Sequence, residues 1–275
     1  MNDQARFFGW SQPGPLSEYM LTISERHRPF GHQIRVLDLL PGSRSDAICC
    51  QIRIIDLKSD EKYEALSYVW GDRAEEAHID VSGDSFAVTR NLHAALARLR
   101  DVQERRTLWI DQICIEQANN EERGRQVSMM RDIYRNCSCC VIWLGELDQY
   151  GESLAVKDAQ AVLDFINFAA DADSTTRSSE LPVLFEDNDN GAYARKAFVA
   201  FAMYGNPWWS RVWTIQEAII PSSAIFHWGP LTLPQASLFL AVENLHVNNM
   251  RNFFSHSFQR RREHLTPLLR RILYP

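Results

Sequence analysis

An α/β fold, a parallel sheet wrapped by helices, is what this 275-residue sequence predicts, and three observations carry it. Two nearly continuous apolar runs, Leu108 to Ile115 and Cys139 to Leu144, lack the apolar/polar alternation of half-buried strands, as strands covered on both faces do. Between them Val127, Met130, Ile133 and Tyr134 recur at helical spacing, so a crossing helix can return the second strand parallel to the first. The 45% apolar content is that of an ordinary globular core, which folds without disulfides or metals.

Taken in order, residues 1–33 mix Phe7, Phe8, Trp10 and Tyr19 with Pro13, Pro15 and Pro29 and read as an N-terminal arm. Ile34 to Leu40 and Ile48 to Leu57 read as strands joined by a turn at Pro41-Gly42, added at the edge of the sheet. Tyr63 to Asp72 (YEALSYVWGD) is a short strand running into Gly71-Asp72, at the end of a strand where open α/β sheets bind ligands. His78 to Val81 and Phe86 to Val88 flank a three-residue hairpin loop, Ser82-Gly83-Asp84. Asn91 is expected to cap a helix with Leu92, Leu96 and Leu99 on one face. Asn119 or Asn120 is expected to cap the central helix, after an exposed elbow from Glu116 to Asn120. Glu121 and Glu122 then sit where the helix dipole favours negative charge. Gln149 to Gly205 reads as an insertion, with helical pieces Ala159 to Ala170 and Tyr193 to Tyr204 around a polar loop from Asp171 to Asn190. A helix from Trp213 to Ile219 stops before Pro221, a strand follows from Ala224 to Trp228, and Ala236 to Leu245 is helical. The division is thus an arm (1–33), a main domain (34–233) and a helical extension (234–275), whose Arg260, Arg261, Arg262, Arg270 and Arg271 read as a solvated face.

A net charge of −6 without a basic domain disfavours nucleic acid as a partner. The opening MNDQARFFGWSQPGP lacks a basic stretch followed by an apolar one, and no window of about eighteen residues is continuously apolar, so a cytoplasmic protein off the membrane is expected. Of six cysteines, Cys137 and Cys140 have CxxC spacing but no second pair and no nearby histidine, so buried thiols are favoured over a zinc or redox site. G-x-x-x-x-G-K-[ST], G-x-G-x-x-G and G-x-S-x-G are all absent, which leaves ATP-driven, dehydrogenase and serine-hydrolase chemistry unsupported; no cofactor or metal is expected.

Three segments then stand together in order: YEALSYVWGD, LWIDQICIEQANNEERGRQVSMMRDIYRNCSCCVIWLGE and SRVWTIQEAI. They resemble the three signature blocks of the HET (heterokaryon incompatibility) domain of filamentous fungi, over roughly Ile34 to Gly229. The resemblance implies a role in self/non-self recognition and programmed cell death. A remoter similarity is to TIR domains: Leu66-Ser67-Tyr68 followed by Gly71-Asp72 is similar to the first TIR strand and its turn. Ser210, Trp213 and Glu217 are similar to a Ser, Trp, Glu pattern on the helix between the third and fourth TIR strands, here bracketed by Cys139 to Leu144 and Ala224 to Trp228. The chain departs from that pattern in the insertion before this helix and in Thr214, where TIR domains often carry Cys. The similarity implies a TIR-like doubly wound, mainly parallel sheet flanked by helices, with an added hairpin, a helical insertion and a helical C-terminal tail.

In enzymatic TIR domains that glutamate serves NAD+ cleavage, so the resemblance makes Glu217 the catalytic candidate and NAD+, or a related nucleotide, the substrate rather than a cofactor. Nicotinamide leaves as a neutral group, so one carboxylate that stabilises the ribosyl cation suffices. Trp213, one turn away, is placed to stack on a flat ring, and Ser67, Tyr68, Trp70, Gly71, Asp111 and Arg211 complete the expected binding set. The plainer reading of Glu217 is a surface carboxylate paired with Arg211 or another cation, and that of Asp111 a structural acid within its strand, accepting from a neighbouring strand end or from Arg123. A non-enzymatic signalling module acting by self-association is the alternative function, and an oligomer or an upstream activating protein is expected to complete or trigger the site.

Overall fold

The computed structural model describes residues 28–72, 74–149, 154–171, 182–186, 188–202 and 205–247. The arm up to residue 27, most of the polar loop and the basic tail lie outside the described residues. The rest falls into two compact units: one holds the chain to Trp143 with Val212–Ser223, the other Leu144–Arg211 with the residues from Ala224.

The first unit is built on seven strands: β1 (Gln33–Leu39), β2 (Cys49–Asp56), β3 (Glu64–Tyr68), β4 (Glu76–Val81), β5 (Asp84–Thr89), β6 (Arg106–Trp109) and β7 (Cys139–Trp143). Their order is β5-β4-β2-β1-β6-β3-β7. The expected parallel core is present where β3 pairs parallel with both β6 and β7. The sheet as a whole is mixed, because β1 runs antiparallel to β2 and to β6. The first two strands are therefore interior to the sheet, not additions at its edge; β1 is almost wholly buried and its antiparallel partners cover both sides. The hairpin forms the edge instead, with a two-residue turn, Ser82 (φ +58°) and Gly83 (φ +92°), one residue shorter than expected. Both residues adopt the left-handed conformation that a tight hairpin turn requires.

Helix α1 (Arg90–Leu99) follows β5, and its cap is Thr89, whose Oγ1 accepts from the Leu92 amide at 3.3 Å. Asn91, expected as the cap, lies one residue inside the helix and is buried. The run Leu108 to Ile115 is not one strand: β6 ends at Trp109 and Asp111–Cys114 forms a single helical turn, α2. The Ile113 and Cys114 amides turn back onto the Ile110 carbonyl, and Asp111 Oδ1 accepts the Gln112 amide at 2.8 Å. Helix α3 (Asn120–Asn136) is capped by Asn119, whose side chain accepts from the Glu121 and Glu122 amides. Helix α6 (Thr214–Ile219) completes the unit.

Side-chain contacts place α1 and α3 on opposite faces of the sheet. Trp109 meets Tyr134 of α3 edge to face at 5.8 Å, and Tyr63 donates to the Ile133 carbonyl at 2.6 Å. Trp109 is the register partner of Ala65, so Ala65 and Ser67 share the α3 face. Trp143, register partner of Tyr68, donates from Nε1 to Asn91 Oδ1 of α1 at 2.7 Å on the other face. The chain thus leaves β3 toward one face and β6 toward the other, which makes the carboxyl ends of these neighbouring strands a topological switch point.

The second unit contains α4 (Val156–Ala170), α5 (Asp189–Phe201), the hairpin β8 (Ala224–Trp228) and β9 (Leu231–Pro234), and α7 (Gln235–Val247). Phe165 and Phe198 join α4 to α5 edge to face, and Asn244 of α7 donates to the last carbonyls of α4, those of Ala169 and Ala170. Trp208, Trp209, Phe201, Phe226 and Trp228 pack as an aromatic cluster, edge to face except for the tilted pair Trp209–Phe226. Among the described residues no helix is long and apolar enough to cross a membrane.

Candidate functional site

The largest commitment of polar groups to the core lies around β3, β6 and α3. Arg35 of β1 is 1% exposed and forms a two-pronged ion pair with the Glu122 carboxylate, also donating to the Cys114 carbonyl at 3.1 Å. Glu122 accepts in turn from the Glu116 amide at 2.9 Å, so the pair fixes the elbow between α2 and α3. The elbow begins buried, contrary to expectation: Glu116 is 2% exposed, and neither carboxylate oxygen has a hydrogen-bond partner among the described residues. Sequence reading missed Arg35, although a lone cation within the apolar run Ile34 to Leu37 was the available signal.

Glu217 is not a surface carboxylate. It is 1% exposed, and Ser67 of β3 donates its hydroxyl to Glu217 Oε2, bringing two of the predicted site residues together on the α3 face. The Glu217 amide donates to the Trp213 carbonyl at 3.1 Å, one helical turn back, and Trp213 is half-buried just ahead of α6. Cys140 lies within reach of this carboxylate; burial pushes its thiol well up, with the charges of Cys137 and Glu217 adding to the effect. Arg211 belongs to the second unit, where its amide donates to the Trp208 carbonyl.

A second group gathers at the switch point. Trp70, two residues past the end of β3, donates from Nε1 to Asp111 Oδ2 at 2.9 Å, and Gln117 Nε2 donates to the Asp111 carbonyl at 2.7 Å. Asp111 is therefore not inside a strand: it opens the helical turn after β6 and, half-buried, takes its hydrogen bond from the end of the neighbouring strand. Tyr68 donates to Gln112 Oε1 at 2.9 Å within the core. Asn91 Nδ2 donates to the Val69 carbonyl, so α1 holds the chain just before Trp70. Gly71 is exposed with φ +81°, a conformation that costs glycine little and lets the backbone turn sharply away from the strand.

Among the described residues no group of three or more histidine, cysteine or acidic side chains is arranged to hold a metal. All six cysteines are free thiols; Cys50, Cys114, Cys137 and Cys140 are buried, whereas Cys49 and Cys139 are half-buried.

The family model described as Heterokaryon incompatibility protein (HET) matches residues 63–217, which contain every residue of both polar groups except Arg35. Heterokaryon incompatibility protein 6, OR allele, of Neurospora crassa is 32% identical over 232 residues, covering 71% of this chain and 33% of that protein. The match therefore spans about a third of the curated relative's length. No solved structure matches. The model match over more than half the chain and the similarity to the Neurospora protein agree with the three ordered sequence blocks: this chain belongs to the heterokaryon incompatibility (HET) family.

Proposed function

We propose that this protein is a fungal incompatibility effector that provokes cell death in the cytoplasm, and that its chemistry is hydrolysis of the nicotinamide–ribose bond of NAD+ at Glu217. The observation that supports this most is the carboxylate of Glu217 held by the Ser67 hydroxyl, in a site walled off from water. There a fixed negative charge acts with little screening on a developing cation. As the C1′–N bond breaks, its electron pair leaves with nicotinamide, which needs no proton. The ribosyl cation faces the carboxylate, water adds at C1′, and the lost proton passes to solvent. The products are ADP-ribose and nicotinamide.

A group 1% exposed meets a solute only after its neighbours part, so the resting protein is closed and activation amounts to opening around α6. Self-association, or an upstream protein, supplies that opening. The same burial favours a second reading. In it Ser67 and Glu217 are a structural tie between β3 and α6, and the protein kills by assembly without turnover.

Incubation of purified protein with NAD+, followed by product separation, tests the first reading, alongside expression of wild type and Glu217→Gln in a fungal host. Turnover and killing that both disappear in the variant support the enzyme. Killing by both proteins with no nicotinamide released overturns it and leaves the assembly reading.

A further inference from the structure

Among the described tryptophans of the first unit, Trp109 and Trp143 are core residues, 0% and 1% exposed, whereas Trp70 and Trp213 are half-buried. Of these two, Trp70 lies two residues past the end of β3. Here several polar groups hold the ring and the chain that carries it. Asp111 accepts from Nε1, and Gln117 fixes the Asp111 backbone. Asn91 holds the Val69 carbonyl and is itself anchored by the Trp143 N–H. The exposed Gly71 follows at once, and the nearest atom to a Cβ built there is Asn91 Cβ at 3.5 Å, so the approach beside the ring carries no side chain of its own. This fixed indole stands at the switch point between β3 and β6, the place where open α/β sheets take ligands.

From this we infer that Trp70, oriented by Asp111, is the platform on which the protein stacks a flat, positively charged heterocycle, the oxidised pyridinium ring of a dinucleotide. The inference rests on the NAD+ reading above and deepens it. A carboxylate that accepts the indole N–H adds electron density to the ring and negative potential beside it. Both favour a cation over the face. The reduced dihydropyridine has lost its charge and its planarity, so the platform discriminates the two redox states of one nucleotide. Trp70 lies three residues beyond Ser67, about 10 Å of extended chain, a span within which a ring on Trp70 still leaves its ribose directed back along β3. Asp111 acts through Trp70 and is a positioning residue.

The test is calorimetric binding to the whole protein, using carba-NAD+, which carries the pyridinium but cannot form the oxocarbenium ion, against NADH and ADP-ribose. Wild type is expected to bind carba-NAD+ at least tenfold more tightly than the other two. Trp70→Ala should erase that preference, Trp70→Phe should keep most of it, and Asp111→Asn, which retains an acceptor for the indole, should lower the preference over NADH. Melting curves of each variant confirm folding, and Trp70→Phe serves as the conservative control should Trp70→Ala fail to fold. Equal binding of carba-NAD+ and NADH by wild type, or an unchanged preference in Trp70→Ala or Asp111→Asn, overturns the inference. The two ideas fail separately: pyridinium-selective binding without hydrolysis of NAD+ removes the enzymatic reading and keeps the platform, whereas hydrolysis with an unaltered KM in Trp70→Ala removes the platform and keeps the enzyme.

Discussion

The Ser67 hydroxyl donates to the Glu217 carboxylate, tying β3 to a six-residue helix 150 positions further along the chain. That one bond separates a chemical role for Glu217 from a structural one. Glu217→Gln keeps an acceptor for Ser67 but removes the charge, so kcat for NAD+ hydrolysis is expected to fall about a hundredfold or more, equivalent to about 2.7 kcal/mol. Ser67→Ala removes a buried donor and should lower stability by about 1–3 kcal/mol in urea melts. A Gln variant that turns over normally would move the chemistry elsewhere.

Arg35 and Glu122 form a buried, two-pronged pair, so loss of one partner strands the other's charge in the core. Glu122→Ala is expected to cost about 3–5 kcal/mol, whereas the double variant Arg35→Met, Glu122→Leu should recover most of that loss. Chemical denaturation of the two single variants and the double variant checks this. A double variant no better than the singles would show that the pair's bonds to the elbow backbone matter more than its charges.

Glu116 presents the opposite case, a buried carboxylate whose oxygens receive no donor among the described residues. Replacing it by methionine removes the desolvation penalty without breaking a side-chain hydrogen bond, and the melting temperature should rise by an amount equivalent to about 1–3 kcal/mol. A fall in melting temperature instead would mean that the carboxylate holds a water or an ion in solution.

The thiols set an alkaline limit. Burial pushes Cys50, Cys114 and Cys137 up to about 12 from the ordinary value of 9.0. Between these two values the unfolded chain has released protons that the folded chain retains. Stability contributed by these thiols is therefore intact below about pH 9 and lost as pH rises toward 12, by up to about 1.4 kcal/mol per pH unit for each. Thermal melts across this range should fall progressively, and thiol labelling at pH 8 should reach the half-exposed Cys49 and Cys139 first.

What the sequence disclosed follows from the distance over which each feature is determined. β6 and β7 were legible as strands of a parallel core because strands covered on both faces must be apolar throughout. The boundary after Trp109 was not, since an apolar run does not distinguish a buried strand from a buried helical turn. The place of β1 was hidden for another reason: its antiparallel pairing with β6 joins segments about seventy residues apart, and nothing local to Gln33–Leu39 names that neighbour. Glu217 was found only through resemblance. A glutamate in a short helix looks solvated until the strand that supplies Ser67 is laid beneath it.

The order of the strands also bears on synthesis. β3 is made early, yet its two neighbours, β6 and β7, are translated after the hairpin and after α3 respectively. On the ribosome the emerging β3 therefore has both long edges unpaired until Trp109 has cleared the exit tunnel and one edge unpaired until Trp143 has, an interval in which its apolar residues are open to chaperones or to the same strand of a neighbouring nascent chain.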